Sequence, residues 1–114
     1  MFRRQKIDEV TPQEAVSLHE QGAVLLDVRE DDEWVAGHAP GAVQVPLASV
    51  SHAASRFGGQ QVVTVCRSGA RSAEAAKVLA AAGIEVRNVV GGMSSWVAAG
   101  LPVVRDDGSP GAVA

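Results

Sequence analysis

Gln61-Val62-Val63-Thr64-Val65-Cys66-Arg67-Ser68-Gly69-Ala70-Arg71-Ser72 joins a β-branched run to a polar turn that contains a glycine. β-Branched residues suit a pleated, packed surface, so 61–65 reads as a strand. The stretch from Ser72 to Ala82 is rich in alanine and other good helix formers, with Gly83 as its stop. Glu85 to Val90 returns as a strand, Gly91-Gly92 breaks it, and Met93 to Ala99 makes a last helix. Upstream, Ala23-Val24-Leu25-Leu26-Asp27-Val28 is a continuous apolar run, as expected of a strand covered on both faces. Thr11-Pro12-Gln13-Glu14 reads as a helix start: Thr11 caps free N–H groups, Pro12 has none to satisfy, and Glu14 completes a capping box. That helix buries Ala15, Val16 and Leu18 and stops at Gly22, with Lys6 to Val10 as a short edge strand before it. Glu30-Asp31-Asp32-Glu33 favours a helix N-terminus, and Trp34, Val35 and Ala36 are expected to turn that helix inward. Val43-Gln44-Val45 is a further strand closed by Pro46, and Leu47 to Phe57 is weakly helical. Strand and helix alternate throughout, the pattern of an α/β domain around a mostly parallel sheet.

At 114 residues the chain has the length of one domain, with 46% hydrophobic and 20% charged residues, a composition that argues against disorder. There is no internal repeat and no dividing linker. A formal charge of −3 leaves no general electrostatic reason to bind nucleic acid or anionic lipid. No apolar run reaches the ~20 residues of a membrane helix. Met1 to Lys6 is basic, but Asp8 and Glu9 stand where a signal peptide would have its apolar core. The expectation is a soluble cytoplasmic domain. One cysteine excludes an intramolecular disulfide framework and any multi-cysteine metal site. Residues 104–114 have little to bury and are expected to trail as a mobile tail behind a domain of residues 1–103.

In open α/β sheets, ligands gather at the C-terminal ends of strands, which is where Cys66 to Ser72 lies. A thiol there faces the free N–H groups of the following helix, equivalent to roughly half a positive charge. Gly69 lets the loop curl so that its amides converge on one centre, and Arg67 and Arg71 add charge. Each feature favours the thiolate, which is the nucleophile. A lone cysteine after a buried strand is ordinarily a small hydrophobe. Two arginines, a glycine and a helix start within a few positions shift the reading of Cys66 toward reactivity.

Cys66-Arg67-Ser68-Gly69-Ala70-Arg71-Ser72 resembles the active-site loop of the rhodanese-like sulfurtransferases. Asp27-Val28-Arg29-Glu30, Gly37-His38-Ala39-Pro40-Gly41-Ala42 and Gly91-Gly92-Met93-Ser94-Ser95-Trp96 are similar to the family's other segments, in its order and spacing. Ala39 replaces a bulkier aliphatic residue common in that family. The resemblance implies a five-stranded, mostly parallel sheet with helices on both faces. It also implies that Cys66 takes a sulfane sulfur from a small donor such as thiosulfate, holds it as a persulfide and passes it to a thiol, cyanide or protein acceptor, without metal or organic cofactor. Cys66 to Arg71 spells Cys-x4-Arg. The related cell-cycle phosphatases and arsenate reductases carry Cys-x5-Arg, a wider ring for a tetrahedral oxyanion, so phosphatase or oxyanion-reductase chemistry stands behind. A non-catalytic module that recognises a partner protein is the main alternative.

Arg67 is placed to steer an anionic donor, unless it is a solvated loop residue. Arg71 is expected to shape the loop by pairing with Asp27 or Glu74, the latter at i+3 on the helix. Ser72 is expected to cap the helix in preference to bonding the thiolate. Ser68, Gly69 and Ala70 complete the substrate-facing turn, and Asp27 and Arg29 are expected to brace it from the neighbouring strand. His19, His38 and His52 have no companions at ligand spacing and read as surface or packing residues, as do Trp34 and Trp96.

Overall fold

β4 (Gln61–Val65) occupies the middle of a five-stranded sheet because its side chains are apolar toward both faces. A computed structural model describes residues 6–114. Of the basic start from Met1 to Lys6, residues 1–5 lie outside the described residues. The strand order is β1-β5-β4-β2-β3, with β1 at Asp8–Val10, β2 at Val24–Asp27, β3 at Val43–Gln44 and β5 at Glu85–Val89. Every pairing is parallel, and the register sets Leu26 beside Thr64 and Thr64 beside Asn88.

Alternation along β2 and β4 builds two cores. Leu26, Val28 and Val62 pack with Val50, Phe57, Ala75 and Leu79 from α3 (Val50–Ala53), its following turn, and α4 (Ala70–Ala81). Leu25, Val63, Val65 and Val89 pack on the other face with Ala15, Met93 and Trp96 from α1 (Pro12–Glu20) and α5 (Gly92–Ala98). Helices therefore cover both faces, as the doubly apolar run 23–28 requires. Cutting the fully buried Leu79 to Ala would cost about 2–5 kcal/mol through lost transfer energy and the cavity left behind.

α1 starts as expected. Thr11 Oγ1 accepts from the Glu14 amide at 3.1 Å, and the Glu14 carboxylate accepts from the Thr11 amide at 2.9 Å. α4 begins at Ala70 rather than Ser72, because Gly69 takes a left-handed φ of +111° and serves as its N-cap. That places Ser72 inside the first turn, where it has no capping role.

Two expectations fail. α2 (Asp31–Ala36) turns inward only in part: none of its side chains is fully buried, Trp34 and Ala36 are half-buried, and Val35 stands 63% exposed. A capping box between Glu30 and Glu33 and an ion pair described below help to hold this helix beside the partial burial of Trp34. The C-terminal segment does not trail free. Val104 exchanges backbone hydrogen bonds with His38 at 2.8 and 2.9 Å, and the Ala112 amide donates to the Ala36 carbonyl at 2.9 Å. Val103 and Val113 pack against the α1–α5 core. A few valines suffice because backbone pairing and close contact supply the rest: a Cβ on Gly111 would stand 2.8 Å from the Gly37 Cα.

Candidate active site

Cys66 follows the last residue of β4 and is 1% exposed. Its loop is held from behind by the start of α5: the Met93 amide donates to the Cys66 carbonyl at 2.8 Å and the Ser94 amide to the Arg67 carbonyl at 3.0 Å. This approach requires the second residue of the Gly91-Gly92 pair to lack a side chain, since a Cβ on Gly92 would stand 2.7 Å from the Arg67 carbonyl carbon.

The loop curls around the sulfur. Cys66 Sγ accepts from the Gly69 amide at 3.0 Å and from the Ser72 hydroxyl at 3.2 Å. Burial pushes the thiol pKa up and is the largest single influence. The Ser72 hydroxyl and the amides of Ser72, Gly69 and Ser68 together outweigh it, so the thiol ionises below its ordinary value. The Ser72 hydroxyl has one proton and a second acceptor, the Gly69 carbonyl at 3.2 Å. It can serve the carbonyl while Cys66 is a neutral thiol and turn to the sulfur when charge forms. Ser72 thus bonds the Cys66 sulfur and does not cap the helix. Ser68 and Ala70 are exposed on the rim.

Arg71 makes a two-pronged ion pair with Glu33 of α2, at 2.6 and 2.8 Å. Neither Asp27 nor Glu74 is its partner. The Arg71 hydrogen bonds hold the Glu33 carboxyl at a pKa of about 2, and Glu33 in turn raises that of Arg71. Glu33 escaped the sequence reading because the acidic run 30–33 had a sufficient local explanation as a helix start. Asn88 was also missed. It is buried in β5, donates to the Gly69 carbonyl at 3.3 Å and accepts from the Thr64 hydroxyl at 3.2 Å. A polar residue inside a strand otherwise bound for the core was the available signal.

Asp27 and Arg29 do not brace the loop through hydrogen bonds of their own. Arg29 Nη2 donates to Asp27 Oδ2 at 2.8 Å and to the Gly37 carbonyl at 2.7 Å, and both side chains are wholly buried. Their pairing fixes the turn that carries His38. The His38 ring stacks on Trp34 with centroids 3.6 Å apart, and its Nε2 lies 2.9 Å from an Asp106 oxygen. Trp96 is buried and donates to the Pro102 carbonyl at 2.9 Å.

Arg67 is exposed and carries no ion pair among the described residues. No group of three or more His, Cys, Asp or Glu among the described residues is arranged to hold a metal ion. No helix among them is long and apolar enough to cross a membrane. What the loop offers is a cradle of neutral N–H and O–H donors for a sulfur-centred anion.

The family model of the rhodanese-like domain matches residues 11–99. The HTH-type transcriptional regulator Rv0324 of Mycobacterium tuberculosis is 37% identical over 107 residues, covering 90% of this chain and 46% of that protein. Thiosulfate sulfurtransferase 16, chloroplastic, of Arabidopsis thaliana is 36% identical over 95 residues, 71% of this chain and 79% of that one. The crystal structure of thiosulfate sulfurtransferase from Pseudomonas aeruginosa superposes with a TM-score of 0.78 at 29% identity, over 94% of this chain and 21% of that one. The chain spans about half the length of the first curated relatives it matches, 46%, 58% and 40% of them. With its parallel sheet, its cysteine loop at the end of β4 and a family match over most of its length, the chain belongs to the rhodanese-like domain family.

Proposed function

We propose that the chain is a sulfurtransferase that works through a Cys66 persulfide. The observation that carries this reading is the environment of one atom. Cys66 Sγ takes hydrogen bonds from the Gly69 amide and the Ser72 hydroxyl at the start of α4, inside a Cys-x4-Arg loop. With thiosulfate as donor, the Cys66 thiolate attacks the outer sulfur, the S–S bond of the donor breaks and sulfite leaves with the bonding pair. The persulfide now carries the negative charge on its terminal sulfur. A nucleophilic acceptor (a thiolate, cyanide or a protein thiol) then attacks that terminal sulfur and restores the thiolate. Neither half-reaction changes the overall charge, so the loop needs only to hold an anion throughout. Arg67 supplies the positive charge that meets the incoming donor, and Arg71 keeps the loop in register through Glu33.

A second reading, recognition of a partner without turnover, has its support in the 1% exposure of Cys66 and in the regulator among the relatives. The two separate in one experiment. Thiosulfate treatment followed by intact mass is expected to add one sulfur to the chain, removable by dithiothreitol. Cys66→Ser should take up no sulfur and transfer none while melting as the parent does, because this chain has no second cysteine. Unmodified parent protein after treatment would sink the covalent mechanism and favour the recognition module.

A further inference from the structure

We propose that Asp106 is a positioning residue for the active-site loop: it fixes α2 where Glu33 pairs with Arg71. For its effect on turnover the proposal rests on the sulfurtransferase reading above. One carboxylate oxygen of Asp106 makes both contacts: it accepts from Trp34 Nε1 at 3.2 Å and lies 2.9 Å from His38 Nε2. Trp34 and His38 are themselves stacked, with ring centroids 3.6 Å apart. Trp34 is the residue after Glu33, and Glu33 holds Arg71 at 2.6 and 2.8 Å. Successive residues of a helix point about 100° apart, so α2 can meet the loop on one side and the C-terminal segment on another.

α2 depends on such links because packing does little to place it. It has six residues, none fully buried, and no helix or strand among the described residues packs broadly against it. Its first turn is tied by the Glu30–Glu33 capping box and by Gln44 Nε2, which donates to Asp31 Oδ1 at 2.9 Å. Its last turn is tied by the C-terminal segment: Asp106 takes Trp34, and the Ala112 amide donates to the Ala36 carbonyl. The family match ends at residue 99, so these ties come from outside the matched domain. The segment is itself seated by the Val104–His38 backbone pair, which lets it act as a fixed support. A two-pronged guanidinium–carboxylate pair is demanding in geometry, so a small shift of α2 is enough to open it. Arg71 follows the Cys66 loop directly, at the second position of α4, and a freed Arg71 no longer holds that loop in one register. Asp106 thus acts on the sulfur through Trp34, Glu33 and Arg71, without touching it.

The test follows Arg71 directly, by NMR of its guanidinium N–H signals at neutral pH, beside thiosulfate-to-cyanide turnover. Glu33→Gln provides the reference for an Arg71 without its carboxylate. Asp106→Ala should move the Arg71 signals toward that reference and lower kcat/KM about twofold to thirtyfold, the range of a coupling carried through intervening residues. Asp106 is 69% exposed, so its loss opens Trp34 and His38 to water and the variant should fold. Asp106→Asn keeps an oxygen acceptor and should restore both readouts at least in part. Trp34→Phe keeps a ring on His38, drops the donor to Asp106, and should reproduce Asp106→Ala. A merely structural role for Asp106 would lower Tm and leave the Arg71 signals where they are in the parent. Parent-like Arg71 signals in Asp106→Ala and Trp34→Phe overturn the proposal. Shifted signals at unchanged kcat/KM, or reduced turnover at unshifted signals, overturn it equally. Shifted signals in a protein whose parent transfers no sulfur would instead overturn the sulfurtransferase reading and leave the link from Asp106 to Arg71 standing.

Discussion

Replacing Ser72 by Ala removes one hydrogen-bond donor from the sulfur and little else. The Gly69 carbonyl, the hydroxyl's other acceptor, keeps the Ala73 amide at 3.0 Å and Asn88 Nδ2 at 3.3 Å, so no buried group is orphaned. Melting should hardly move. The thiol should respond, because burial is the largest influence on it and the Ser72 hydroxyl is the first of the groups that oppose burial. A hydrogen bond to a charged group contributes about 1.5–3 kcal/mol. At ~1.36 kcal/mol per pH unit, its loss should raise the pKa of Cys66 by about 1–2 units. Because the hydroxyl can serve the Gly69 carbonyl when Cys66 is neutral, the loss is expected to fall on the thiolate. Below both pKa values, each unit cuts the thiolate roughly tenfold, but the more basic thiolate is a better nucleophile. With a Brønsted slope of ~0.4–0.5, attack on the donor should slow only about threefold to fourfold per unit. The assay is the pH dependence of Cys66 alkylation read by mass, with Ser72→Thr as the variant that keeps the hydroxyl and should keep the midpoint. An alkylation midpoint in Ser72→Ala equal to that of the parent would refute the claim that the hydroxyl helps hold the anion.

Glu33→Gln should destabilise the protein by about 1–2 kcal/mol, between an exposed and a buried ion pair. Because the Glu33 carboxyl is held at about 2 against an ordinary 4.5, the stabilisation is full above pH 4.5 and is lost as pH falls through 4.5 toward 2. Urea unfolding across that range should show a shallower acid branch in the variant. Asp27→Asn should cost about 3–5 kcal/mol by leaving the wholly buried Arg29 without its counter-charge, and a fall in Tm with no change in the alkylation pH profile is the expected signature. Arg67→Ala should raise KM for thiosulfate while leaving the alkylation midpoint of Cys66 nearly in place, because neutral donors carry the ionisation. Steady-state kinetics and the same alkylation series check both halves.

What could be read from the sequence was what is decided within a few residues. The Thr11–Glu14 capping box is encoded in four consecutive positions, and it forms as written. β4 with its loop and α4 likewise declare themselves through β-branching, one glycine and a run of alanines. The partner of Arg71 could not be found this way. Glu33 lies 38 positions away and reaches the loop only because β2 pairs beside β4 in the sheet, which sets α2 over the start of α4. Asp106 meets His38 across 68 positions for the same kind of reason. The tail was misjudged because its side chains were weighed and its backbone was not: its hydrogen bonds to His38 and Ala36 leave no mark in composition. Ser72 was misjudged by a shift of two residues at the helix start, enough to turn an expected cap into a donor to sulfur.

The two loop arginines read alike in the sequence, yet the structure divides their work. Arg71 is committed to Glu33 by two short hydrogen bonds, so much of its charge is spent before any substrate arrives. Arg67 has no such partner among the described residues and remains available. The anion on Cys66 rests instead on the Ser72 hydroxyl and on the amides of Ser72, Gly69 and Ser68. This arrangement suits a reaction in which negative charge moves outward by one sulfur and back. Neutral donors close to Sγ favour the thiolate without pinning it as a salt bridge would, and a salt bridge at the nucleophile would lower its reactivity along with its pKa. On the proposed sulfur transfer, the exposed Arg67, without an ion-pair partner among the described residues, is the loop charge left to meet an incoming anion. An arginine paired at the sulfur and a free one at the rim would be the worse design for turnover, because the first would hold the resting thiolate more tightly than the state that follows it.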